Sequence, residues 1–166
     1  MRHIISLLLQ NEAGSLMRVA GLFSERNYNI ESLSVAATSD PAISRLTVAV
    51  IGSDRVIEQI TLQVGKLVDV IAVDDLTSGP HLERELLLVK VRIHDGQRND
   101  VLDLVTSAHG RVLDDTSGTY TIQLAGSSEE IDQFIKNLAT SAKLAEVVRS
   151  GVAAVTRGDS ILEITD

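Results

Sequence analysis

The chain has 166 residues, 44% hydrophobic and 23% charged, with a formal net charge of −8 and no cysteine. That balance is globular, and the length fits one large unit or two small ones with a core that needs no staples. Disulfides, thiolate metal sites and thiol nucleophiles are excluded; acidity and a mere four rings (Phe23, Tyr28, Tyr120, Phe134) argue against a nucleic-acid surface.

No stretch approaches the roughly 18 apolar residues that cross a bilayer. The first residues show neither the apolar run nor the small-residue cleavage site of a signal peptide. A soluble, cytoplasmic protein with no membrane partner is therefore expected.

Apolar periodicity gives the elements. Ile4 to Leu9 is a nearly unbroken apolar run, short enough for a buried strand. After the turn Gln10-Asn11-Glu12-Ala13-Gly14, the residues Leu16, Val19, Ala20 and Phe23 fall on one helical face. Asn27 is expected at a left-handed C-cap. Ile30 to Ala37 reads as a strand, Ser39-Asp40-Pro41 as a turn, and Leu46, Val48 and Val50 alternate against Arg45, Thr47 and Ala49 as a further strand. Gly52-Ser53-Asp54 offers a cap for a helix whose stripe is Val56, Ile57, Ile60, Val64 and Leu67. Val68 to Val73 closes the set.

Thr77-Ser78-Gly79-Pro80 is the linker, and the order then repeats. Leu86 to Ile93 is a strand. Val101, Leu102, Val105 and Ala108 make a helical stripe ended by Gly110. Val112 and Leu113 form a short strand, Thr116-Ser117-Gly118 a hairpin turn, and Tyr120, Ile122 and Leu124 alternate in the next strand. Ser127 or Ser128 caps a helix with Ile131, Phe134, Ile135 and Leu138 on its face. Counted from Ser128, Ile131 stands where a capping box needs an acid. Leu144 to Val148 and Val152 to Val155 supply the last strands, and the tail from Arg157 is polar.

Two β-α-β-β-α-β units predict an α+β protein of two ferredoxin-like domains, residues 1–77 and 81–166, each an antiparallel sheet with helices on one face. Strands apolar on both faces predict a sheet face or edge covered by another chain.

No catalytic constellation is present. His3, His81, His94 and His109 are not spaced as ligands, and they read as surface or strand-end residues. Asp74-Asp75 and Asp114-Asp115 read as exposed turn acids rather than a metal site. No nucleophile or phosphate-loop motif occurs.

The informative stretch is Asn11-Glu12-Ala13-Gly14-Ser15-Leu16. A helix N-terminus leaves N–H groups unpaired and carries partial positive charge. Glycine there lets a ligand approach the backbone, and a carboxylate suits such a place. Asn11 adds an oxygen for an ammonium and an amide that donates. Ordinary turn chemistry accounts for the same residues. Asn29, beside Tyr28 at the start of the next strand, reads alone as a turn residue.

The run N-E-A-G-S-L-M-R-V-A-G-L-F-S-E-R-N-Y-N-I-E-S-L from Asn11 resembles the small subunit of acetolactate (acetohydroxyacid) synthase, and the likeness continues through KLVDV, HLERELLLVK and RSGVAAVTRGD. The resemblance implies an amino-terminal ACT domain at 1–77, which binds effector and dimerises, and a carboxy-terminal ferredoxin-like domain at 81–166, which activates a catalytic subunit. It implies a non-catalytic homodimeric partner of that subunit, conferring feedback by valine or another branched-chain amino acid. It implies effector contacts at Asn11, Ala13, Gly14, Ser15 and Leu16, with Asn29 from the facing chain. No metal and no cofactor is expected in this chain; thiamine diphosphate, Mg and FAD are expected on the catalytic subunit. Asn27 and Met17 depart from the family's commoner residues, and Met17 is expected to alter the effector pocket's wall. The matching turn of the second half, His94-Asp95-Gly96-Gln97-Arg98-Asn99-Asp100, lacks the N-E-x-G pattern. No equivalent site is expected there, although Gly96 is present. The competing readings are a stand-alone amino-acid-sensing regulator of transcription or of another enzyme, and a small ferredoxin-like enzyme.

Overall fold

The computed structural model describes residues 1–26, 28–94 and 96–163, so the cap expected at Asn27 lies outside the described residues. The chain divides into two compact units, Met1–Leu82 together with Val152–Asp166, and Glu83–Gly151.

The first unit runs β1 (Arg2–Gln10), α1 (Ser15–Glu25), β2 (Ile30–Ala37), β3 (Ile43–Ile51), α2 (Asp54–Val64) and β4 (Val70–Asp75). Its sheet is antiparallel in the order β2-β3-β1-β4, leaving β2 and β4 at the edges. Odd positions of β1 (Ile5, Leu7, Leu9) join Leu46, Val48 and Val50 of β3 under the helix residues Val19, Phe23, Ile57, Ile60 and Val64. The period of two in the strands and of 3.6 in the helices thus meets in one core. β4 starts later than expected: Val70 N–H donates to Leu67 O, and this turn leaves Val68 83% exposed.

The opposite face of β1 is also buried, and Val152 and Ala154 supply part of its cover. Ile4 packs with Leu76, Val152 and Ala154. Arg45 donates from Nε to Ser6 Oγ (3.1 Å) and from Nη2 to Ala154 O (3.2 Å). Val152 N–H reaches Ser32 Oγ at 3.3 Å. The segment expected to complete a second domain of 81–166 therefore belongs in part to the first unit. A strand apolar on both faces needs cover on both, and here the residues from Val152 provide part of it for β1.

The second unit contains β5 (His81–Arg92) from Glu83 onward, α3 (Arg98–Ser107), β6 (Arg111–Thr116), β7 (Thr119–Gly126), α4 (Ser128–Ser141) and β8 (Lys143–Arg149). The sheet order is β6-β7-β5-β8. Leu87, Val89, Val91, Tyr120, Ile122 and Leu124 meet Val101, Val105, Ile131, Phe134 and Leu138. Both units therefore have the ferredoxin-like order of strands.

Three local details refine the sequence reading. The helix expected to end at Gly110 ends with His109 in the left-handed conformation (φ 56°), with His109 N–H on Thr106 O and Gly110 N–H on Val105 O, a Schellman motif. Gly110 is required for space instead, because a Cβ there would meet Gln123 O at 3.1 Å. Ser127, not Ser128, caps α4. In that frame Glu130 is the third residue, and the reciprocal capping box forms, Ser127 N–H to Glu130 Oε2 at 2.7 Å and Glu130 N–H to Ser127 Oγ at 3.2 Å. The β6–β7 turn has positive φ at both Ser117 (55°) and Gly118 (74°), which matches the twist of a tight hairpin.

Two buried polar residues, Glu85 and His3, sit in charged clusters. Arg149 grips Glu85 with Nε (2.8 Å) and Nη2 (2.7 Å) and reaches Asp132 with Nη1 (2.6 Å). His3 is not a surface residue: its ring lies between Asp75 Oδ2 (3.3 Å) and Asp54 Oδ1 (3.4 Å), carboxylates that only folding brings near it.

Candidate functional site

β1 carries the chain to the surface at Gln10, and Gln10 N–H is held by Asp69 O at 2.9 Å. Asn11 then fixes the turn twice. Its backbone N–H donates to Ala42 O (2.7 Å) and its Nδ2 to Pro41 O (2.8 Å), both in the β2–β3 connection. With one amide N–H spent on Pro41 O, Asn11 offers a ligand its Oδ1, an acceptor suited to an ammonium, and its second amide N–H.

Gly14 is the N-cap of α1 and lies in the left-handed region, φ 93° and ψ −14°. Ser15 N–H closes on Glu12 O at 3.2 Å, and Arg18 N–H on Gly14 O at 3.0 Å. No side chain caps the helix, and its first turn holds no acid. The dipole's positive end is thus left without a protein counter-charge in that turn. Ala13 and Gly14 are exposed, Leu16 is 37% exposed and Met17 74%.

Ser15 behaves differently. It is buried, with an Oγ outside the geometry of any hydrogen bond, and it faces the Asp69 carboxylate. That carboxylate is gripped by Arg18, with Nη2 on Oδ1 at 2.8 Å and Nε on Oδ2. The guanidinium holds the Asp69 carboxyl below the usual carboxylate range, and burial opposes this. Asp69 reciprocally raises Arg18.

The structure therefore gathers Asn11, Ala13, Gly14, Ser15 and Leu16 in one turn. Asn29 is not part of it: it stands exposed just before the edge strand β2. Arg18 and Asp69 were missed by sequence reasoning. The available signals were an arginine one helical turn beyond Gly14 and a lone acid between Val68 and Val70. Concavities of about 530 and 510 Å³ lie elsewhere, the first over α3 and α4 and the second beside His3, and neither is lined by this turn. No helix among the described residues is long and apolar enough to cross a membrane.

Two ferredoxin-like units, the first with an uncapped glycine turn between strand and helix, define a tandem α+β protein. Residues 5–72 match the AHAS small subunit-like ACT domain, and residues 84–158 match the small subunit of acetolactate synthase. The acetolactate synthase isozyme 3 small subunit of Salmonella typhimurium is 49% identical over 162 residues, covering 98% of this chain and 99% of that protein. Its Escherichia coli counterpart is 48% identical over the same span. The crystal structure of the Thermotoga maritima acetolactate synthase small subunit superposes with a TM-score of 0.86 at 32% identity, covering 96% of this chain and 99% of that one. The chain belongs to the acetolactate synthase small-subunit family.

Proposed function

We propose that this chain is the non-catalytic regulatory subunit of an acetolactate synthase: it binds the catalytic subunit, raises its activity, and makes it sensitive to valine or another branched-chain amino acid. Thiamine diphosphate, Mg and FAD reside on the catalytic subunit in this reading. The family carries the choice of enzyme. The carrying structural observation for the effector is the turn at Gly14, whose helix start has no capping side chain and whose neighbour Asn11 keeps its Oδ1 available as an acceptor.

The effector's carboxylate meets the N–H groups beside Gly14, and its ammonium meets Asn11 Oδ1. The turn is open on one side, so a second surface has to complete it. A second copy joined along the edge strand β2 supplies Asn29 from the facing chain. That edge suits pairing: most of β2 is exposed or half-buried, and Val35 is 41% exposed. Binding across such an interface favours one arrangement of the dimer, to the extent that the effector's affinity differs between arrangements.

The test is reconstitution. Purified catalytic subunit is titrated with this chain, and acetolactate formation from pyruvate is followed with and without valine, leucine or isoleucine. Activation together with valine-dependent loss of rate supports the reading. Unchanged activity with no co-elution overturns it, as would turnover of pyruvate by this chain alone.

A further inference from the structure

Arg18 holds a place at this turn that its pairing with Asp69 does not exhaust. Two guanidinium nitrogens, Nε and Nη2, are spent on the two oxygens of Asp69, an arrangement that fixes the guanidinium plane. The third, Nη1, is not used in that pairing. It lies 2.9 Å from the point where a Cβ on Gly14 would stand. The pair is also asymmetric: the Asp69 side chain is 5% exposed and the Arg18 side chain 47%. The anion is therefore inside and the cation outside, against the same turn whose helix start lacks a cap. The buried Ser15 hydroxyl, outside any ordinary hydrogen bond, faces the inner end of the same pair.

Resting on the effector site proposed above, we infer that Arg18 is its cationic specificity residue: Nη1 donates to the carboxylate of the bound zwitterion, and Asp69 is the positioning residue that holds the guanidinium against Gly14. Glycine at position 14 then has two reasons. It takes the left-handed backbone, and its lack of a Cβ lets Nη1 lie close against the turn. The chemistry selected is a free α-carboxylate. A neutral amide of the same amine and side chain keeps the ammonium contact and the apolar contact but loses the charge-assisted bond.

The full chain is titrated calorimetrically with valine and with valinamide. The wild type should prefer valine, and Arg18→Gln should reduce that preference by about 10- to 100-fold, the loss of one charge-assisted hydrogen bond, with valinamide little changed. Arg18→Lys, which keeps the charge but not the planar fork, should recover part of the preference. A folded Arg18→Gln with the wild-type ratio overturns the assignment of Arg18 while leaving valine binding intact. Failure of the wild type to bind any branched-chain amino acid overturns the site itself, and this inference with it. Should the variants not fold, a structure of the wild-type chain with valine decides. A carboxylate oxygen at hydrogen-bond distance from Nη1 supports the inference, and a carboxylate seated away from Arg18 overturns it.

Discussion

Gly14→Ala tests both the fold and the proposed site, because two separable penalties meet at one Cβ. At φ 93° an L side chain is strained, by about 1–2 kcal/mol for a left-handed residue. In a unit of about 100 residues, each kcal/mol moves the melting temperature by about 4–8 °C. The second penalty is steric: the new Cβ would stand 2.9 Å from Arg18 Nη1, and that guanidinium is pinned by Asp69, so it cannot swing away without breaking the pair. Gly96 provides the control, with φ 94° and nothing within 4 Å of its added Cβ. Gly96→Ala therefore carries the strain alone. Denaturant unfolding of the full chain should show Gly14→Ala losing more than Gly96→Ala, and only Gly14→Ala should also lose the valine-induced rise in melting temperature. Gly14→Asp goes further, since its carboxylate stands beside Arg18 and repels the effector. The reconstituted enzyme should then keep activation and lose feedback. Equal destabilisation by the two alanine variants, or an unchanged inhibition midpoint with Gly14→Asp, would refute the reasoning.

Other consequences follow from the charged clusters and the open edge. Arg149→Met leaves the Glu85 carboxylate, 4% exposed, without its partner, and should destabilise the second unit by about 3–5 kcal/mol; adding Glu85→Gln should restore much of this in thermal denaturation. Asp69 has a native pKa depressed by Arg18, so its contribution is complete above the unfolded carboxylate value near pH 4 and is lost as pH falls through the lowered native value. Acid unfolding of wild type and Asp69→Asn should therefore converge at low pH and diverge above it, and parallel curves would contradict the pairing. Val35→Lys places a charge on the exposed edge β2 and should weaken self-association in sedimentation, whereas an unchanged assembly would move the proposed interface elsewhere.

Much of the fold was legible because its signals are local. The stripes Val19–Phe23 and Ile57–Ile60–Val64 are buried as their spacing requires, and the Ser117-Gly118 turn sits where the alternation breaks. Asn11 and Gly14 were legible for the same reason, since strand, turn and helix start are contiguous there. What escaped is non-local. No periodicity tells Val152 and Ala154 that they return to cover Ile4, and no spacing links Arg18 to Asp69 or His3 to Asp54 and Asp75. The capping box of α4 was missed through a one-residue shift of frame. Glu130 is third from Ser127 and only second from Ser128, so the acid falls in place only when the earlier serine is the cap.

The two halves share an order of elements, but their helix starts differ, and the difference bears on the effector turn proposed for the first. In the second unit the helix start is N-capped by Gln97 with an ordinary φ of −91°, not by a left-handed glycine. Gln97 folds back on its own turn: its Oε1 accepts His94 N–H at 3.2 Å and its backbone N–H donates to His94 O at 3.1 Å. Asp100 in the first turn of α3 then places an acid at the helix's positive end, where α1 has none. The next arginine, Arg98, is directed to Asp115 at 3.1 Å and over the Tyr120 ring, away from any glycine. A carboxylate that meets an open, positive helix start at Gly14 would meet at Gly96 a turn closed by its own amide and guarded by an acid. Calorimetric titration of the full chain should accordingly count no more than one effector per chain, and a second equivalent site would show that the duplication kept its function in both halves.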